Sequence, residues 1–552
     1  MRLELLPLEI LDNIFCYLSF HDRWRVCTVS NGWRSTILCW KRMFEQLSTS
    51  DYKKNMVASL LPYRSYIHPD FVKSIQLNVQ KGDELSSLIE FLADNKCSAI
   101  TKVDITAPYW MKYNFFQLNT HCAMSLNNLS LKFNRGDDDH YKPPPDLILR
   151  HYPRLQVLCY IGPVYSKNGQ QWKPSFPTGF KHQYLRDLVL HIHNSDGTFE
   201  AKNILVATPR IRRLRLGLQN IQHTSPLLLL DVLKQHCPEL VTISFLHRYG
   251  NGTIIDPDLL SMERRTNSRS GLENLVFHDS FDEYPYARQL IQFLTTEYHQ
   301  SLYTLDITCA YVTYDENNNS DSLDQLSSLV FPCLERFSLT DRITNMLSRR
   351  NHTLSPLSRF LSNSVPNLRH LALTYLEGGV ELKMLVQKPN HLETLYLDHC
   401  NVVDLHQITS LLGNHGTNKE ARLSRIALRC LPHISPEVLS FIASTQGTCL
   451  KELIIDQNEG VSIEDIELFL DNIPINNRSN MIHTANISLI YQDSPARDFP
   501  DKDKIDQMLA KLNLYAKEWR FTLSNYADLS LQLDSYSHVR YRKNIKKNRY
   551  SI

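Results

Sequence analysis

Between Ile75 and Leu453 one short pattern recurs fourteen times: an apolar residue, two open positions, a second apolar residue, one open position and a third. Clear copies are Leu126/Leu129/Leu131, Leu185/Leu188/Leu190, Ile211/Leu214/Leu216, Leu272/Leu275/Phe277, Leu368/Leu371/Leu373, Leu392/Leu395/Leu397 and Leu450/Leu453/Ile455. Successive central residues lie about 29 positions apart on average, and weaker copies centre on Ile75 and Val103 at the front and on Ala485 and Trp519 at the back. A unit of this size cannot bury its apolar face alone, so the copies must stack on one another. The alternation within each copy has the period of a strand. Between copies lie helix signals: Ser225-Pro226, Ser435-Pro436-Glu437, and the capping-box pattern Ser462-Ile463-Glu464-Asp465. Prolines at 153, 209, 238, 332, 366 and 389 stand just ahead of six predicted strands, where a helix must stop.

The period and the strand–helix alternation match the long form of the leucine-rich repeat. The segment His391–Asn401 resembles the cysteine-containing variety, with Cys400 at the position that Ala310, Arg342 and Leu376 hold in other copies. The resemblance implies an α/β solenoid over residues 71–535, with parallel strands inside and helices outside. Breaker-rich inserts at 135–146, 161–180, 249–270 and 315–324 read as surface loops.

The first forty residues follow another rule. Apolar residues at 10, 11, 14, 15 and 18 form one helical stripe behind Pro7, and two further short apolar segments hold Trp24, Val29, Trp33 and Trp40. Three such helices cannot bury this surface among themselves. The order Leu-Pro-x-Glu-Ile-Leu-x-x-Ile-Phe-x-x-Leu, followed by Val-Ser-x-x-Trp-Arg, resembles the F-box of the substrate receptors of SCF-type cullin–RING ubiquitin ligases. That resemblance implies a short all-α domain at 1–45 that docks a Skp-type adaptor through Leu6, Pro7, Ile10, Leu11, Ile14, Phe15, Leu18, Val29 and Trp33. Trp24 and Ser30 depart from the family pattern, which often has a smaller aliphatic residue and Cys there. Residues 46–70 then read as a connection and 536–552 as a basic tail, with Arg540, Arg542, Lys543, Lys546, Lys547 and Arg549.

Composition narrows the function. The 60 Lys and Arg against 58 Asp and Glu leave no basic excess for a dedicated nucleic-acid binder. Only 17 Gly and no Gly-x-Gly-x-x-Gly or Walker run argue against a phosphate loop. Twelve Cys, none in a Cys-x-x-Cys pair, read as reduced core residues, and no apolar run is long enough to span a membrane. His191-Ile192-His193 has no further ligand nearby and reads as solvated strand histidines. We therefore expect no catalytic residues, no cofactor and no metal, with a setting in the cytoplasm, the nucleus or both.

If the leucines point inward, the alternate residues line the concave face. That row includes Arg213, Arg215, Thr242, Ser244, Asn274, Val276, Thr304, Thr308, Tyr396, Asp398, Arg425 and Arg429. Arg213 with Arg215, and Arg425 with Arg429, read as basic spots, and Tyr396 and Asp398 join them as candidate contacts for a protein substrate. The alternative is a leucine-rich-repeat scaffold outside ubiquitination, with its F-box self-buried.

Overall fold

The computed structural model describes residues 6–40, 42–48, 65–78, 89–107, 122–133, 143–162, 175–192, 201–217, 226–246, 271–278, 286–308, 326–340, 355–375, 392–400, 423–431, 434, 436–446, 449–456, 461–473, 482–491, 502–525, 529–534 and 540–543. The chain divides into two compact units, Met1–Arg265 and Thr266–Ile552.

The first unit opens with α1 (Leu8–Cys16), α2 (Phe20–Val26) and α3 (Asn31–Cys39). Among the described residues eight parallel strands follow: β1 (Gln46–Ser48), β2 (Ser74–Asn78), β3 (Lys102–Ala107), β4 (Asn128–Phe133), β5 (Val157–Gly162), β6 (Asp187–Ile192), β7 (Arg213–Gly217) and β8 (Thr242–Leu246). Helices α4 (Pro145–His151), α5 (Ala201–Ala207) and α6 (Pro226–His236) lie in the connections. The register is that of the sequence pattern: Ile75, Val103, Leu129, Leu158, Leu188, Leu214 and Ile243 sit in successive facing pairs. Each is at most 1% exposed, so period-2 alternation fixes which face closes on the core.

Strand β1 precedes every sequence copy. Leu47 faces Ile75 and is fully buried, and the N–H groups of Lys73 and Ser74 both donate to the Glu45 carbonyl. The span read as a connection thus contributes a rung of the array.

Among the described residues the second unit shows nine parallel strands: β9 (Asn274–His278), β10 (Thr304–Thr308), β11 (Arg336–Thr340), β12 (His370–Thr374), β13 (Thr394–Asp398), β14 (Arg425–Arg429), β15 (Glu452–Asp456), β16 (Ile482–Tyr491) and β17 (Ala516–Asn525). Their helices are α7 (Tyr286–Tyr298), α8 (Ser355–Asn363), α9 (Pro436–Gln446), α10 (Ile463–Asp471) and α11 (Lys502–Tyr515). The weak copies Ala485 and Trp519 fall in register with Leu453. Ser462 caps α10 as the sequence pattern implies: its hydroxyl accepts from Asp465 N–H at 3.2 Å, and the Asp465 carboxylate accepts from Ser462 N–H at 2.8 Å. Lys504–Glu464 and Lys511–Asp471 ion pairs join α11 to α10 at 2.8 and 2.7 Å.

The direction of the chain then changes. Strand β18 (Leu529–Asp534) runs antiparallel to β17, and β19 (Arg540–Lys543) antiparallel to β18. Three residues separate β17 from β18, too few for a parallel crossover. Arg540, Arg542 and Lys543 therefore stand in a strand; Lys546, Lys547 and Arg549 lie outside the described residues, as do the cores of all four inserts. Among the described residues no helix is long and apolar enough to cross a membrane.

One buried histidine ties a loop to the first unit. His182 is 2% exposed; its Nδ1 accepts from Leu185 N–H at 3.2 Å, so Nε2 carries the hydrogen donated to the Tyr152 carbonyl at 2.9 Å. Burial lowers its pKa, partly offset by the Tyr152 carbonyl. With the folded-state pKa below the unfolded value near 6.5, the unfolded chain binds more protons, so stability falls as pH drops through about 6.5. We expect His182→Leu to lower stability at pH 7 by about 1–3 kcal/mol, through two broken hydrogen bonds. Its melting temperature should then fall less steeply between pH 7 and pH 5 than that of the parent chain.

Candidate functional site

The N-terminal helices form one candidate surface. The Pro7 carbonyl accepts from Ile10 and Leu11 N–H at 3.0 and 3.1 Å and so opens α1. Ser19 caps α2 through Asp22 N–H, and Ser30 caps α3 through Trp33 N–H, both at 3.1 Å. The cap gives Ser30 a local reason for its departure from the family pattern.

The residues read from sequence as one docking stripe divide into two. Leu11 and Phe15 are 1% and 2% exposed. The Phe15 ring packs on Trp33 at 5.7 Å and Trp40 at 5.4 Å between centroids. Their expected place on the docking surface is therefore corrected: at i and i+4 they face inward and hold the three helices together. Ile10, Ile14 and Val29 are 46%, 44% and 70% exposed, and Pro7 is exposed too. Leu6, Leu18 and Trp33 are half-buried. Tyr17, which the sequence reading passed over, continues the Ile10–Ile14 stripe at i+7 and is 88% exposed.

Hydrophobic spacing also could not reveal Arg23. It is buried, donates from Nε to the Phe15 carbonyl and from Nη1 to the Arg42 carbonyl, both at 3.0 Å, and lies 4.7 Å over the Trp40 ring. A cation at the end of α1 is favoured by the helix dipole, and the aromatic face adds to it. Trp40 in turn donates Nε1–H to Asp12 at 2.6 Å. The outer stripe is thus presented by a closed scaffold that does not need it for its own core.

The strand row of each unit is a further candidate surface, and the parallel register rewrites its electrostatics. Arg213 faces Asp187 on β6 and donates to it from Nε at 2.7 Å. Arg425 faces Glu452, at 3.3 Å, and Arg429 faces Asp456, at 2.8 Å. The expected basic spots are therefore corrected: at these three arginines a carboxylate sits in the adjacent rung. Arg215 is half-buried, and burial lowers its pKa.

Tyr396 and Asp398 join this network. Tyr396 donates its hydroxyl hydrogen to Asp398 Oδ2 at 3.0 Å and accepts from Arg429 Nη1 at 3.0 Å. Burial leads the rise in the Tyr396 pKa, and the Tyr396 bond leads the rise at Arg429. The row is also less open than the alternation implies. In the first unit Thr242 and Ser244 are buried, and in the second Asn274, Val276, Thr304 and Thr308 are buried.

Residues 3–41 match the family model described as the F-box domain. Among solved structures the chain is similar to the leucine-rich repeat-containing protein LegL7 from Legionella pneumophila. The two share 14% sequence identity over 57% of this chain and 84% of that one, with a TM-score of 0.31, which is too distant to bear on function. No curated protein matches the chain. The match and the strand register together give an F-box at the head of leucine-rich-repeat arrays.

Proposed function

With an F-box at residues 3–41 ahead of stacked leucine-rich repeats, we propose that the chain is the substrate-recognition subunit of an SCF-type ubiquitin ligase. The observation that carries this reading is the exposed apolar stripe Ile10, Ile14 and Tyr17 along α1, with Val29 also exposed in the turn ahead of α3, on a scaffold whose own core is already filled by Leu11 and by Phe15 packed on Trp40. Large apolar side chains left on a complete scaffold mark a place for a partner. A Skp-type adaptor occupies it in this reading, and through the adaptor the cullin–RING assembly. Each unit's strand row offers contacts to a protein substrate, Arg213 and Arg215 in the first and Tyr396, Asp398, Arg425 and Arg429 in the second, and the complex works in the cytoplasm, the nucleus or both. The chain's part is non-catalytic: it raises the effective concentration of substrate lysines near the conjugating enzyme.

Affinity capture of the full chain from cells should recover a Skp-type adaptor and a cullin in stoichiometric amounts. Recovery of neither would favour a leucine-rich-repeat scaffold outside ubiquitination.

A further inference from the structure

Three neighbouring residues in the second unit carry a chemistry that adaptor docking does not use. Strand β12 ends into Tyr375, β13 into His399 and β14 into Cys430, and all three residues take left-handed backbone, with φ of 57°, 50° and 49°. Each donates its N–H to the last carbonyl of the next strand: Tyr375 to Asp398 at 2.9 Å, His399 to Arg429 at 3.0 Å, Cys430 to Asp456 at 2.8 Å. The same turn repeated on adjacent rungs stacks these residues in a column at the strand spacing. Left-handed backbone is costly for a residue with a side chain, and non-glycine residues held there cluster at functional sites.

We propose that Asp398, His399 and Cys430 form a three-ligand site for a borderline-soft divalent cation, zinc foremost. One donor atom from each lies within 4.8 Å of the other two. A tetrahedral zinc with bonds of about 2.0–2.3 Å spaces its donors by roughly 3.3–3.8 Å, so small side-chain rotations close the gap. The set of one imidazole, one thiolate and one carboxylate suits zinc and does not suit calcium or magnesium, which take oxygen donors.

Outer contacts already aim the ligands. Tyr396 holds Asp398 Oδ2, while Asp398 Oδ1 and His399 Nδ1 share a hydrogen bond at 2.7 Å that opens, with loss of its proton, as the metal takes its place. Arg429 holds the Tyr396 hydroxyl and is itself held by Asp456. The His399 ring stacks on Tyr375 with centroids 4.5 Å apart. Hydrogen bonds of this kind orient ligands and raise metal affinity. His399 is exposed, so the fourth position is open to water or to a side chain of a bound protein. Sequence spacing hides the group because Cys430 lies one full repeat beyond His399.

Cobalt(II) titration of the full, metal-stripped chain tests the site. One equivalent should raise tetrahedral bands in the visible and a thiolate-to-cobalt charge-transfer band. Cys430→Ser should abolish the charge-transfer band. His399→Asn, which tolerates the same backbone, should weaken binding at least tenfold in chelator competition. Tyr396→Phe should weaken it by about 10–100-fold, as loss of an outer hydrogen bond does. Equal melting temperatures without metal separate ligand loss from unfolding; should Cys430→Ser melt early, His399→Asn at its exposed position decides instead. A wild-type chain without the charge-transfer band, or a band unchanged in Cys430→Ser and His399→Asn, overturns the proposal.

Discussion

Ile14→Asp is expected to abolish adaptor capture while the chain melts at the parent temperature. Ile14 is 44% exposed on a helix closed by other residues, so a carboxylate there stays hydrated in the free chain. In an apolar contact the same carboxylate loses its water and finds no partner, a penalty of several kcal/mol or roughly a thousandfold in affinity. Leu11→Asp behaves differently although it lies three residues away. Leu11 is 1% exposed, so the charge is buried in the folded chain itself, and both the three-helix fold and adaptor capture should be lost. A pull-down of purified Ile14→Asp against the adaptor, with melting curves for both variants, checks the contrast. Capture by Ile14→Asp at parent affinity would dismiss the proposed docking face.

Leu395→Asp should lower stability by about 4 kcal/mol or more, since an unpaired charge enters a packed interior. Leu395 is 2% exposed and sits between Leu371 and Ile426 in the adjacent rungs. Tyr396→Ser, one residue on, removes hydrogen bonds to Asp398 and Arg429 but opens no core cavity, and costs about 1–2 kcal/mol. Denaturant unfolding followed by circular dichroism compares them. Equal losses would mean that the two side chains exchange faces, as a one-residue slip in register produces.

The sequence revealed the inward-facing residues because a buried strand must alternate, and fourteen copies repeat the demand. It also located the helix starts at Pro226, Pro436 and Ser462, where proline and a capping serine act over one turn. What stayed hidden depends on residues far apart in sequence. Arg429 meets Asp456 27 residues on, and only the register places them side by side. Arg23 reaches Phe15 and Arg42 through backbone carbonyls, which leave no mark on hydropathy. Leu47 escaped because its copy, Phe44-x-x-Leu47-x-Thr49, ends on a polar residue. The reversal at β18 was readable in principle, from a connection too short for a crossover.

The paired arginines also bear on how substrate contacts are probed. Reversing Arg425 or Arg429 would set two carboxylates face to face in adjacent rungs, so a loss of substrate would mix lost contact with local repulsion. Neutral glutamine replacements keep the two apart.

Strand β1 has a consequence for geometry. A receptor whose docking helices hang on a flexible tether samples a cloud of positions, and the length of the tether sets how often its cargo meets the enzyme. Here Glu45 is pinned by the backbone of Lys73 and Ser74 and by the Lys73 ammonium at 2.6 Å, while Gln46–Ser48 already belongs to the first rung. Between the docking helices and the first repeats the tether therefore has almost no length. A partner docked on Ile14 would take its bearing from the first repeats, so that angle and not tether length would set its approach.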